Sequence, residues 1–170
     1  AGFVNLFLDQ ARCLLGDQQP ANMITLRGFN KLPVVPTFDK RYGLHAASIA
    51  VNGMYRGVSK LAGMDVLPLP GETISDQFDT LEKYWADYDF FYLHVKRTDT
   101  CGESGDFQGK ARVIEEVDAH IPRLMALNPD VVVVGGDHSS PAVLRSHSWH
   151  PVPTLLYSHH VCPDGIATFG

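Results

Sequence analysis

Asp137 and His138 stand at the end of the run Val131-Val132-Val133-Val134-Gly135-Gly136, ahead of Ser139-Ser140-Pro141, and His147 and His150 follow within the same fourteen positions. One carboxylate, three imidazoles and four serine hydroxyls so close together include the donor set of a divalent cation. Four valines are too short for a buried helix and suit a strand covered on both faces, which would release Asp137 and His138 just past its carboxyl end. Open α/β sheets place their chemistry there. The same residues also fit a helix start, because Asp, Ser and Pro are ordinary capping and first-turn residues. Taken on spacing alone, metal site and helix cap stand level. A Ser-His-Asp triad using Ser139 or Ser140 ranks below both: no G-x-S-x-G elbow is present, and the serines abut Asp137 and His138 instead of facing them across a site.

A second polar cluster follows another apolar run. Tyr88 to Val95 reads as a strand that delivers His94, Lys96, Arg97, Thr98 and Asp99 into a glycine-containing loop with Glu103 and Asp106. Neighbouring parallel strands lie about 4.8 Å apart, so two such loops can converge on one site, to which His147 returns. Carboxylates gathered in that way repel one another unless a cation compensates them. A carboxylate and imidazole set without thiolates suits Mn, Zn, Fe or Mg and disfavours a structural zinc knot. Lys96 and Arg97, beside the carboxylates, are candidates for holding a phosphate, and Arg27 is a weaker one. His150, His159 and His160 have no spacing that marks them as ligands. Cys13, Cys101 and Cys162 form no C-x-x-C pair, which argues against a disulfide framework or a thiolate zinc site.

The elements that must position these residues alternate. Phe3, Leu6, Phe7, Ala11 and Leu14 have helical spacing, and Ala21 to Arg27 reads as a strand ending at Gly28. A proline-punctuated loop over Lys31 to Pro36 and a turn over Thr37 to Gly43 lead to a helix from about His45 to Leu61, then to a short strand over Val66 to Pro70. Thr73 to Trp85 is helical with Ile74, Phe78, Leu81 and Trp85 on one face. Phe107 to Leu127 is a long helix with Val113, Val117, Ile121 and Leu124 inward, and Lys110, Arg112, Glu115, Glu116 and Asp118 toward solvent. The valine strand, a short helix from near Ser140 and a last strand over Thr154 to Ser158 complete an α/β pattern: a mainly parallel sheet sandwiched by helices.

Composition narrows the function classes. At 170 residues and 45% apolar content, the chain can bury the core of one domain. Its 14 basic and 19 acidic residues give a formal charge of -5 without a basic run, which argues against nucleic acid as partner. No apolar stretch is long enough to span a membrane, and Ala1 to Leu15 lacks the layout of a secretory leader, so the expectation is a cytoplasmic protein without membrane attachment. The oligomeric state is not legible.

Tyr88 to Lys96 with Thr98-Asp99, Gly105-Asp106-Phe107 with Lys110, Gly136 to Pro141 with His147, and Pro151-Val152-Pro153 stand in one order, preceded by Ala21 to Gly28, Tyr42-Gly43-Leu44 and Gly57 to Gly71. Together these segments resemble the archaeal-type 2,3-bisphosphoglycerate-independent phosphoglycerate mutases of the alkaline phosphatase superfamily. The resemblance implies two divalent metals, manganese preferred with magnesium or zinc as alternatives, and interconversion of 3-phosphoglycerate and 2-phosphoglycerate through a phosphoserine. It implies Asp137 and His138 as ligands of one metal and Asp99 and His147 as ligands of the other. Glu103 stands where the commoner pattern has histidine, a change that favours a harder ion, and His150 stands where that pattern has aspartate. Residues 1–30 would be the end of an inserted substrate-binding domain with its return segment, and 31–170 the C-terminal part of the metal-binding domain. The family's nucleophilic serine and first metal aspartate are expected N-terminal to this chain, so no catalytic residue is expected within it and the fragment is expected to be inactive. Two other functions compete: a metal-dependent phosphatase or phosphotransferase of the same superfamily, and a non-catalytic domain that binds metal or a partner.

Overall fold

A computed structural model describes residues 2–26 and 28–166. Its backbone separates into two compact units, Ala1–Val34 and Val35–Gly170. In the first, helix α1 (Gly2–Leu15) forms over the expected stretch. Its apolar face is largely bare, with Phe3 at 92% and Leu14 at 79% exposure and Ala11 buried. The strand expected over 21–27 is absent from 21–26, where no neighbouring strand supplies hydrogen bonds. Arg27 lies outside the described residues.

The second unit begins with the one-and-a-half-turn helix α2 (Phe38–Tyr42) and then strand β1 (Ala46–Ala50). That strand corrects the helix expected from His45 to Leu61; only its second half is helical, as α3 (Gly53–Leu61). Ala46-Ala47-Ser48-Ile49-Ala50 has the propensity of a helix, but it is the central strand of a sheet with helices on both faces. Each of the five residues is at most 3% exposed, and small side chains let both helical layers approach closely. The short strand β2 (Asp65–Val66), helix α4 (Ile74–Tyr84) and a 3-10 turn over Trp85–Asp87 lead to β3 (Phe90–His94). Both β2 and β3 pair with β1 in parallel, in the order β2-β1-β3. The expected α/β class with a mainly parallel sheet is therefore present.

Side-chain alternation along β1 assigns the layers. Ser48 points at α3, where its hydroxyl meets that of Ser59 at 2.8 Å. Ala47 and Ile49 point the other way, into a core with Leu67, Ile74, Phe78 and Leu81 and with Val113 of the long helix α6 (Phe107–Ala126). Between β3 and α6 the expected glycine loop is instead helix α5 (Arg97–Ser104), stopped by Gly105 at φ +80°. Glycine, threonines and a cysteine disguise it, being weak helix formers.

Strand β4 (Val131–Val134) forms as expected, but its cover does not. It pairs antiparallel with β5 (Leu155–Ser158) in a separate two-stranded sheet. Val131, Val133 and Val134 are 53%, 62% and 41% exposed and Val132 is partly buried, and β5 is the one hydrogen-bonded neighbour of β4 among the described residues. The helix expected from Ser140 is a turn, in which the amides of Leu144 and Arg145 donate to the Pro141 carbonyl at 3.0 and 3.1 Å. Arg145, at φ +50°, ends it after one turn.

Candidate metal centre

The chain leaves β1 for β2 on one side and crosses to β3 on the other. The carboxyl ends of β1 and β3 therefore flank the point where strand order reverses, where open α/β sheets bind their ligands. Three residues past the end of β3, α5 begins, and it carries Asp99 and Glu103 one turn apart on the same face. The loop after β4 supplies Asp137 and His138. His147 is brought back by a bridge between Ser139 and Ser148, whose amide donates to the Ser139 carbonyl at 2.9 Å.

One ligand atom from each of Asp99, His138 and His147 falls within 4.8 Å of the others. His147 Nε2 is 3.3 Å from both Asp99 Oδ1 and Glu103 Oε1. His138 Nε2 is 3.9 Å from Asp99 Oδ1 and 3.6 Å from Asp137 Oδ2, and the two imidazole centroids are 3.9 Å apart. The five residues expected as ligands thus fall in one connected cluster. Asp99, His138 and His147 make its centre, while Glu103 and Asp137 each border one imidazole. The helix-cap alternative for Asp137 to Pro141 falls, because no helix follows.

Asp99 is the most enclosed member, its side chain 12% exposed. Burial works against its charge, but the Lys96 ammonium and the Ser140 hydroxyl both donate to it and hold its pKa down at about 2. Burial likewise opposes ionisation of Asp137, yet the Tyr55 hydroxyl at 2.6 Å and the adjacent His138 keep it below the ordinary carboxylate value. Tyr55 itself is pushed up, by burial first and by Asp137 second, so it stays protonated and donates to Asp137. Asp99 and Asp137 are therefore ionised acceptors across the neutral range, and two imidazoles face them. That is the donor chemistry of a hard to borderline divalent ion.

Lys96 and Arg97 were candidates for holding phosphate. The Lys96 ammonium is bonded to Asp99, and Arg97 Nη1 reaches Glu116 Oε2 of α6 at 3.1 Å. His150 is exposed, bonded to the Ser148 hydroxyl and stacked on Trp149.

Three further residues belong to the surroundings. Tyr55 sits one turn before Ser59 on the buried face of α3, a pairing visible in the helical spacing but obscured by the helix expected from His45. It stacks on His94 at 3.5 Å between centroids, and burial lowers the His94 pKa. Lys110, expected in solvent, instead donates to the Ser140 carbonyl at 2.7 Å. Ser140, only 4% exposed, meets both Asp99 and, at 3.2 Å, His138 Nδ1. A nucleophile must reach substrate and give its proton to an imidazole that the carboxylate orients from the far ring nitrogen. Ser140 does neither: it is enclosed, and imidazole and carboxylate meet at its own hydroxyl.

Carboxylates and imidazoles converging at the carboxyl end of a parallel sheet define a metal-binding α/β domain. The metalloenzyme superfamily model matches residues 5–168, and the chain belongs to that superfamily. It is 47% identical over 161 residues to a probable 2,3-bisphosphoglycerate-independent phosphoglycerate mutase from Aquifex aeolicus, with 95% of this chain and 40% of the relative aligned. A protein of the same description from Thermosipho africanus is 50% identical over 155 residues, covering 91% of this chain and 38% of the relative. A solved structure from Pyrococcus horikoshii superposes with a TM-score of 0.83 at 27% identity, over 97% of this chain and 45% of that one. The fold is shared too with the cofactor-independent phosphoglycerate mutase from Thermoplasma acidophilum, at a TM-score of 0.65 and 23% identity, over 99% of this chain and 45% of that one. The chain spans about two fifths of the length of the curated relatives it matches.

Proposed function

We propose that the protein carrying this chain is a metal-dependent phosphoglycerate mutase, interconverting 3-phosphoglycerate and 2-phosphoglycerate, and that this chain supplies much of its metal centre. The observation that carries the reading is the convergence of Asp99, His138 and His147, bordered by Asp137 and Glu103, at the switch point of the sheet. In this reading Asp137 and His138 serve one ion, and Asp99, His147 and Glu103 the other. The carboxylate at position 103 favours manganese over zinc. Divalent ions held there would supply Lewis-acid charge to a phosphoryl group and its attacking oxygen. The chain's own residues hold the ligands: Lys96 and Ser140 keep Asp99 ionised and oriented, and Tyr55 does so for Asp137. The phosphoryl group moves from one glycerate hydroxyl to a serine and then to the other hydroxyl, consuming no water. That serine is expected outside the 170 residues, with residues 1–30 closing an inserted substrate domain and 31–170 forming part of the metal domain.

The test is the intact protein with 3-phosphoglycerate and manganese. The expected outcome is 2-phosphoglycerate without free phosphate, lost on chelation and restored by metal. Release of free phosphate would instead make the protein a phosphatase. Turnover by a verified 170-residue chain alone would overturn the assignment of the nucleophile.

A further inference from the structure

Ser140 lies at the junction of two ligands that come from different parts of the chain. Asp99 is on α5 and His138 in the loop after β4, and the Ser140 hydroxyl touches Asp99 Oδ1 and His138 Nδ1. We infer that Ser140 is the positioning residue of the metal centre: it fixes the rotation of the Asp99 carboxylate and holds His138 in the tautomer that carries its proton on Nδ1. The inference rests on the metal-site reading given above.

A serine hydroxyl has one proton to donate and lone pairs to accept with. A carboxylate in its ordinary ionised form can only accept, so the hydroxyl proton belongs to the bond with Asp99. Were the proton turned to His138 instead, the Ser140 and Asp99 oxygens would face each other at hydrogen-bond distance with no hydrogen between them. His138 Nδ1, at 3.2 Å, must then be the donor. A neutral imidazole protonated on Nδ1 has its lone pair on Nε2, and Nε2 is the nitrogen that faces Asp99 and Asp137 at 3.9 and 3.6 Å. The hydroxyl therefore aims a metal-binding lone pair into the cluster, the task an outer hydrogen-bond partner performs for a ligating histidine.

Ser140 is itself held in place. Its residue is 4% exposed and its carbonyl accepts from Lys110 Nζ at 2.7 Å. Gly102 of α5 packs so closely that a Cβ there would lie 2.2 Å from the same carbonyl oxygen. A fixed hydroxyl selects one geometry for both ligands, whereas a mobile one would only solvate them.

The experiment has two arms on the intact protein. In metal-free protein at about pH 8.5, above the ordinary imidazole range, nitrogen-15 NMR should find neutral His138 protonated on Nδ1. The Nε2-protonated tautomer in wild type would overturn the inference, and this arm needs no variant to fold. In the second arm, Ser140→Ala should lower manganese affinity by about 10- to 100-fold and remove the tautomer bias, with circular dichroism confirming the fold. Unchanged affinity in a folded Ser140→Ala protein would sink the inference and leave the metal site standing. Failure of wild type to bind manganese would sink the metal-site reading, whatever tautomer is found.

Discussion

Replacing Gly102 by alanine tests whether α5 and the loop after β4 are held together by close backbone approach. Two effects oppose each other. In a helix interior, alanine is favoured over glycine by about 1 kcal/mol. Against that, the new methyl would stand 2.2 Å from the Ser140 carbonyl oxygen and 3.0 Å from Ser140 Cβ. Relieving the contact requires roughly 1 Å of movement, and overpacking of this kind costs about 1–3 kcal/mol. The carbonyl cannot move freely, because Lys110 donates to it from α6 at 2.7 Å. Disturbing that charge-assisted bond adds about 1.5–3 kcal/mol, so the clash outweighs propensity and Gly102→Ala should destabilise by about 1.5–5 kcal/mol net. Gly57 is the control: it also lies inside a helix, α3, but nothing stands within 4 Å of its added Cβ. Gly57→Ala should therefore stabilise, by about 0.5–1 kcal/mol. Urea titrations of both variants, with manganese affinity measured alongside, give the comparison. Gly102→Ala at wild-type stability and affinity, or two variants shifting in the same direction, would refute the packing argument.

Tyr55→Phe removes the hydroxyl that donates to Asp137 while keeping the ring stacked on His94. Metal affinity should fall about 10-fold, read by chelator competition, and an unchanged affinity would show that Asp137 needs no orienting donor. Thr73 and Asp76 form a capping box at the start of α4, and the Thr73 side chain and backbone N–H lower the Asp76 pKa. A carboxylate whose folded pKa is depressed contributes stability above its unfolded value of about 4. That contribution is lost as pH falls through the lower folded value. Asp76→Asn should therefore flatten the acid limb of the stability curve, and parallel curves for wild type and variant would count against it.

What could be read before the fold was known depended on what each residue's role leaves in the letters. The convergence of Asp99, His138 and His147 was legible because carboxylates and imidazoles are conspicuous at the ends of apolar strand runs. The inward faces of α4 and α6 were legible because Ile74, Phe78, Leu81, Val113 and Val117 keep helical spacing and do pack on the core. Strand β1 was not, because its requirement is smallness between two helical layers, and alanine meets that requirement while signalling helix. Helix α5 failed for the opposite reason. Gly102, the residue that makes it look like a loop, is the one that lets it dock on Ser140. Ser140 was read as a helix start and Lys110 as a solvated charge because their partners are forty-one and thirty positions away. No local pattern encodes such contacts.

The sheet topology explains why those two residues carry so much. Strand β3, which leads into Asp99, and strand β4, which leads into Asp137 and His138, share no hydrogen-bonded ladder among the described residues. Strand pairing therefore does not set the distance between the two halves of the candidate metal centre. Side chains and one close backbone contact set it instead: Lys110 on the Ser140 carbonyl, Gly102 beneath it, and the Ser140 hydroxyl between Asp99 and His138. Asp99, Glu103 and Asp137 add mutual repulsion when ionised, which Lys96 offsets only at Asp99. A cation shared by the two halves would relieve that repulsion and tie α5 to the β4 loop. Metal binding and local ordering should thus be one event, so that a manganese titration tightens amide exchange protection in α5 and in residues 137–148 together. Protection that rises in one segment without the other would show that the halves are joined by something besides the metal and Ser140.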